Sequence, residues 1–194
     1  MESSGSMTSS SMTYKDSVIQ LIKEHHCQEV AEIGIFHAVL AQEVVKQCHL
    51  DRYYLIDPWR PFTGEGTQPW VEEITLDSWD DMCLEAYRAF VNCPEVRIIR
   101  LDSVRASKLF EPESLDMVFI DADHSYESAL QDIQAWLPII RSGGIISGHD
   151  YGTYKGVVRA VNETFKKKVQ RLPGSVWYVE KNNVETGSGN IGAL

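Results

Sequence analysis

Leu115-Asp-Met-Val-Phe-Ile-Asp121, running on through Ala-Asp-His124 to Ser125, is the stretch on which the reading of the fold turns. Its apolar run is nearly continuous, the pattern of a strand covered on both faces rather than one wetted on one side. Such strands belong to parallel sheets, and Ser125 then starts a helix carrying Leu130, Ile133 and Leu137. Downstream, Gly143-Gly144 is read as the break in that helix, Ile145-Ile146-Ser147 as a fifth strand, and Val157, Val158, Val161 and Phe165 as the face of another helix. The pattern closes with Val169–Leu172, a Pro173-Gly174 turn and Val176–Glu180, a β-hairpin.

Upstream the same alternation holds. Val96–Leu101 is a third strand, with a short helix around Ala106–Phe110 before the fourth. Asp51–Asp57 is the second, followed by a loop from Pro58 to about Pro69 and a helix capped at Asp77-Ser78 that carries Leu84, Tyr87 and Val91. Glu29–Gly34 is the first, leading into a helix from about Phe36 with Leu40 and Val44 inward, and Val18, Leu21 and Ile22 mark a short helix before it. Five β-then-α units predict an α/β fold: a doubly wound, mostly parallel seven-stranded sheet with helices on both faces and a C-terminal antiparallel hairpin. Ligands of such sheets bind beyond the carboxyl ends of the strands.

Composition narrows the partners. The chain has 194 residues and a formal net charge of −10, which disfavours a nucleic-acid backbone or an anionic membrane. Lys166-Lys167-Lys168 is the only basic run and reads as a solvated helix end. Cys27, Cys48, Cys83 and Cys93 form no C-x-x-C pair, which suits reduced thiols in a cytoplasmic protein better than disulfides or a zinc site. No apolar run is long enough to cross a bilayer. Residues 1–13 are Ser-rich and read as a disordered leader or cloning remnant, 14–182 as the folded domain, and 183–194 as a flexible tail.

The strand ends carry the chemistry: Glu32-Ile33-Gly34, Asp57, Asp102-Ser103, Asp121-Ala-Asp-His124 and His149-Asp150. Converging carboxylates repel unless something cationic sits among them, so the rim predicts a positively charged ligand, a metal ion, or both. The first loop, Gly34-Ile-Phe-His-Ala38, lacks the G-x-G-x-x-G of dinucleotide sites, and Phe36 and His37 are too bulky to cradle a phosphate. A phosphate-free cofactor bearing a sulfonium and an ammonium group suits it better. Asp57 stands where a carboxylate can accept both ribose hydroxyls, or where it simply caps a turn.

Val30-Ala-Glu-Ile-Gly34, Tyr54-Leu-Ile-Asp-Pro-Trp59, Leu101-Asp-Ser103, Met117–Tyr126 and Gly143–Tyr151 together resemble the class I S-adenosylmethionine-dependent methyltransferases. Within them the chain is most similar to small metal-dependent O-methyltransferases of the catechol and macrocin type, which have a Rossmann-like fold. The resemblance implies S-adenosylmethionine as cofactor, with Glu32 and Gly34 at its methionine part, Asp57 at its ribose, and Asp102 and Ser103 at its adenine, Asp121 adjoining. It also implies a divalent metal on Asp121 and Asp150, with His149 where relatives often carry another acid. A histidine there tilts the choice from magnesium toward manganese, iron or zinc. His124 matches the general base of metal-dependent relatives; alternatively it caps a helix or bonds to the core, just as Asp150 could cap the helix after it. Asp123 either orients His124 or sits at the helix start. Trp59, Trp70, Tyr126, Tyr151 and Tyr154 are candidates for the acceptor pocket, Trp136 and Trp177 for the core, and His25, His26 and His49 for the surface. The family usually has a second glycine where this chain has Ala38. A small hydroxylated acceptor and a homodimer are the expected partners. A nicotinamide-dependent oxidoreductase, a metal-dependent hydrolase and a non-catalytic binding module are the alternatives.

Overall fold

Each apolar run becomes a strand and each amphipathic run a helix in the computed structural model, which describes residues 12–61 and 73–183. In chain order the elements are α1 (Tyr14–Glu24), β1 (Glu29–Ile33), α2 (Val39–Gln47), β2 (Arg52–Ile56), α3 (Leu76–Ala89), β3 (Val96–Ile99) and α4 (Ser103–Ser107). After them come β4 (Leu115–Ile120), α5 (Tyr126–Trp136), β5 (Ile140–Gly148), α6 (Lys155–Phe165), β6 (Gln170–Leu172) and β7 (Val176–Glu180). The Ser-rich leader up to residue 11, Trp70 with the rest of 62–72, and the tail from 184 onward lie outside the described residues.

The sheet has seven strands in the order β3-β2-β1-β4-β5-β7-β6. All pairs from β3 to β5 are parallel, and β7 pairs antiparallel with β5 and β6. Winding runs outward from β1 in one direction and from β4 in the other, so the switch point falls between β1 and β4. Register does the rest. Ile99, Ile56, Ile33, Ile120 and Gly148 form one row across the sheet, so the next residues on four strands (Asp57, Gly34, Asp121 and His149) emerge along one edge.

Helices cover both faces. Val18, Leu40 and Trp79 from α1, α2 and α3 pack with Val30, Tyr53, Leu55 and Phe119 on one side. Ala106, Ile133, Trp136 and Val161 from α4, α5 and α6 pack with Ala31, Ile56, Val118 and Ile146 on the other. Thr13 begins α1 in a reciprocal capping box with Asp16. No described helix is long and apolar enough to cross a membrane.

Four local expectations are corrected. Helix α2 begins at Val39 rather than Phe36, because Gly34, Phe36 and Ala38 all take positive φ and the intervening loop cannot be helical. Helix α3 is capped by Thr75, not Asp77-Ser78, and buries Trp79, Met82, Cys83 and Ala86, while Leu84, Tyr87 and Val91 stay exposed. Helix α4 starts at Ser103 because the Asp102 side chain accepts from the Arg105 N–H at 3.0 Å. Gly143-Gly144 does not break α5: that helix ends at Trp136, a 3₁₀ turn containing Pro138 follows, and both glycines lie inside β5. A Cβ on Gly144 would sit 2.7 Å from the Asp116 carbonyl oxygen, so close strand packing explains the glycine.

Candidate active site

A cavity of about 600 Å³ opens at the carboxyl edge of the sheet, and Glu32, Gly34, Asp57, Asp102, Ser103, Asp121 and His124 all line it. Gly34 is there for a backbone reason. Its φ is +87°, and a Cβ would lie 2.1 Å from the Asp121 carbonyl oxygen, so only glycine lets the β1 and β4 loops meet.

Glu32 is 3% exposed and accepts a hydrogen bond from the Tyr53 hydroxyl. Burial pushes its carboxyl up to about 8, and Asp121 and Asp57 add to the rise, against the Tyr53 hydrogen bond. Near neutral pH it therefore carries a proton that a bound cation would displace. Asp57 is more committed than its sequence position suggests. Its Oδ2 accepts from the Ile35 and Phe36 N–H groups at 2.8 and 3.0 Å, and its Oδ1 from the Trp59 N–H at 2.6 Å. Burial raises its carboxyl; these three donors and Arg100 pull the other way. Asp57 thus braces the first loop, and little of its acceptor capacity is left for a ligand. Asp102 caps α4 and lies 3.4 Å from Arg105 and 3.8 Å from Arg60. Ser103 accepts from the Trp136 indole N–H at 2.9 Å.

At the β4–β5 end, two carboxylates and two imidazoles converge. His124 Nε2 is 2.8 Å from Asp150 and 3.9 Å from Asp121, and His149 Nδ1 is 3.3 Å and 3.5 Å from the same two acids. Burial alone would lower both imidazoles, but the flanking carboxylates dominate and push His124 up to about 9 and His149 up to about 10. Burial likewise opposes ionisation of Asp121 and Asp150, yet the histidines hold both below the ordinary carboxylate value. Asp150 sits at φ +62°, a left-handed conformation rare outside glycine. Its carboxylate faces the histidines, while its carbonyl takes the Thr153 and Tyr154 N–H groups. The His124 ring stacks on Tyr154 at 4.1 Å with the planes 6° apart, and His149 tilts against Tyr14 at 4.8 Å.

One oxygen each from Asp121 and Asp150 and a ring nitrogen of His124 lie within 4.8 Å of one another, a donor set that fits a divalent transition metal. His149 stands beside this trio rather than in it. Asp123 is settled as a helix-start residue, accepting from the Ser125 N–H at 2.8 Å and the Ser128 hydroxyl at 3.1 Å. Ser125, not His124, caps α5, and the Asp150 side chain caps no helix.

Of the described aromatics expected around an acceptor, Tyr154 is the one that reaches this cluster. Trp59 is fully buried and donates to the Phe36 carbonyl at 3.0 Å, so it supports the loop instead. Tyr126 bonds Glu163 and Tyr151 bonds Asn162, which draws both hydroxyls toward α6. Tyr14 and Asp132 also line the cavity, beyond the reach of the strand-end reading. Tyr14 enters from α1 and carries no local signal. Asp132 had one: an acid within the apolar stripe Ala129, Ile133 and Trp136 of α5.

A comparison with curated protein sequences finds no match. Among solved structures, the fold is similar to a provisionally assigned O-methyltransferase from Klebsiella pneumoniae, at 11% identity over 91% of this chain and 81% of that one, with TM-score 0.60. A provisionally assigned caffeoyl-CoA O-methyltransferase from Staphylococcus aureus is similar at 14% identity, over 86% and 82% of the two chains, with TM-score 0.59. Spermidine synthase from Thermotoga maritima shares the fold at 14% identity and TM-score 0.55, matching 89% of this chain but only 62% of its own length. The sequence pattern of the methyltransferase domain matches residues 31–151, from β1 through the site loop after β5. By that match, and with the doubly wound sheet and edge cavity expected of it, the chain belongs to the methyltransferase-domain family.

Proposed function

We propose that the protein transfers the methyl group of S-adenosylmethionine to a hydroxyl of a small molecule, with a divalent metal assisting. The observation that carries the reading is the single cavity spanning Glu32, Asp102–Ser103 and Asp121–His124. A nucleoside laid along it toward Glu32 places its sulfonium next to the acid–histidine cluster. Glu32, about 8 when empty, is a ready partner for an ammonium group. Gly34 keeps the backbone low enough for close approach, and Asp57 holds the loop that faces the ligand. Net charge −10 favours a small acceptor over a nucleic acid, and four free cysteines agree with a reducing, cytoplasmic setting.

Asp121, Asp150 and His149 would hold the metal; its charge on the two carboxylates would replace the protons that hold His124 and His149 high in the empty site, leaving His124 Nε2 neutral and able to take the acceptor's proton. A bound divalent cation supplies positive charge that lowers the pKa of a coordinated hydroxyl. A second reading makes His124 the imidazole ligand, favoured by the three donor atoms within 4.8 Å. Calorimetric titration with Mn²⁺ separates them. Under the first, His149→Ala weakens binding and His124→Ala spares it; under the second, the order reverses.

Calorimetry with S-adenosylhomocysteine and with NADH tests the cofactor. Saturable binding of the former, weakened at least tenfold in Glu32→Gln, is expected; binding of NADH alone overturns the assignment. Asp57→Ala is a poor probe, since it orphans three backbone N–H groups and unfolds the loop with the ligand site.

A further inference from the structure

Six large apolar side chains stand exposed among the described residues, and four of them (Leu76, Leu84, Tyr87 and Val91) belong to α3 or the turn that follows it. Single exposed hydrophobes need no explanation, but a clustered set does. Leu84, Tyr87 and Val91 form one wall of a groove of about 440 Å³, and Val96 and Ile98 of β3 form the other. Strand β3 is one free edge of the sheet and β6 the other. The β6 edge is three residues long, exposes Gln170 and Arg171, and follows Lys166–Lys168, a charged trim that discourages pairing. At β3 the Arg97 guanidinium folds back to donate to the Pro94 and Val96 carbonyls at 2.6 and 2.8 Å, which covers the start of the strand. An added strand is therefore disfavoured there, while the apolar groove stays open to side chains.

The charge pattern selects the occupant. Along α3, Asp77, Asp80 and Asp81 stand in the first half and Arg88 in the last turn. Asp80 is engaged by Arg100, whereas Asp81 and Arg88 are exposed and have no ion-pair partner among the described residues. Turned end for end, this helix is its own complement. A second copy laid antiparallel and centred on Leu84 sets Leu84 against the partner's Leu84, Arg88 against the partner's Asp81, and Leu76 against the partner's Val91. A chain of net charge −10 repels its own copy at long range, so the two symmetry-related Arg88–Asp81 pairs supply the attraction the face needs. We propose that this side of α3, with the β3 groove beside it, is the interface of a homodimer whose α3 helices pack antiparallel about a two-fold axis at Leu84. The patch is small beside a standard interface, so association falls in the micromolar range, and dilute chains are monomers with Leu84 exposed. Trp79, on the inner face of the same helix, lines the edge cavity, so interface and cavity share a wall.

The test is sedimentation velocity of the full chain over a range of about 1 to 100 µM. Wild type should pass from the mass of one chain to that of two as concentration rises. Leu84→Asp, which sets like charges against each other on the axis, should weaken association at least about tenfold while leaving the melting temperature of the dilute chain unchanged. Arg88→Asp and Asp81→Arg should each weaken it at least about threefold, and the two together should restore it to within about threefold of wild type, because the swap exchanges the charges across the axis. A wild type that keeps the mass of one chain throughout overturns the proposal, as does a dimer that Leu84→Asp leaves intact. Failure of the double swap to restore association overturns the antiparallel pairing. If Leu84→Asp melts well below wild type, the charge-swap set decides alone: restoration supports the interface and its absence overturns it.

Discussion

Two small residues in the first loop show how differently single positions can be constrained. Gly34 and Ala38 both lie at positive φ, +87° and +55°. Left-handed backbone costs a non-glycine residue about 1–2 kcal/mol, so glycine would be the expected residue at position 38. It is 1% exposed, however, and its methyl packs in the core of the α1–α3 face. One buried methyl contributes about 0.8 kcal/mol, and the lower chain entropy of alanine contributes about 0.5–1 kcal/mol more. These offset the strain. Ala38→Gly should therefore change stability by less than about 0.5 kcal/mol in urea unfolding, whereas Ala38→Val, with a branched Cβ in the same conformation, should cost more than about 2 kcal/mol. Gly34→Ala should also exceed about 2 kcal/mol, because its Cβ meets the Asp121 carbonyl at 2.1 Å and backbone must move. A neutral Gly34→Ala would mean that the two loops do not touch as described.

At the scale of elements, α3 carries two apolar stripes about a third of a turn apart. Trp79, Met82, Cys83 and Ala86 form one, and Leu76, Leu84 and Tyr87 the other, while Val91 falls beyond the helix end. Packing chose the first. Met82→Ala should accordingly cost about 2–5 kcal/mol, and Leu84→Ser less than about 0.5 kcal/mol; the reverse order in urea melts would rotate the helix. The same example marks what the sequence could and could not reveal. Strands were legible because their apolar runs are short, bounded and followed by a polar residue, and parallel register then places Asp57, Gly34, Asp121 and His149 on one edge without further information. Helix faces with two stripes were not, since periodicity gives the period but not the phase. Loop side chains were harder still: Trp59 follows a strand end as the site residues do, yet it turns inward to bond Phe36. Tyr14 reaches the cavity from an element that no strand-end rule covers, and its ring finds His149 only through the packing of α1.

The whole molecule should respond to pH in an unusual way, because Glu32, Asp132 and the two site histidines all favour the protonated side. Glu32 is raised from 4.5 to about 8 and Asp132 from 3.8 to about 6, chiefly by burial. Between the ordinary and the raised value the folded chain keeps a proton that the unfolded chain has lost, so stability falls as pH climbs through each window. The histidines repeat this higher up. Burial works against their charge, but Asp121 and Asp150 raise them from 6.5 to about 9 and about 10, so their ion pairs are fully in place below 6.5 and disappear as pH rises through 9 and 10. Asp121 and Asp150 act in the opposite sense: lowered beneath 3.8, they contribute stability above that value and lose it on acidification. The sum puts the stability maximum of the ligand-free protein near about pH 5, at the acid end of the usual range. Thermal melts from pH 4 to pH 10 should show a melting temperature that declines steadily above the maximum. Glu32→Gln should flatten the decline between about pH 5 and pH 8 and leave the limb above pH 8 in place, because the histidines still titrate there. A wild-type profile level from pH 5 to pH 9 would mean that Glu32 is ionised and paired in the folded chain, and that the site's acids are balanced by something other than protons.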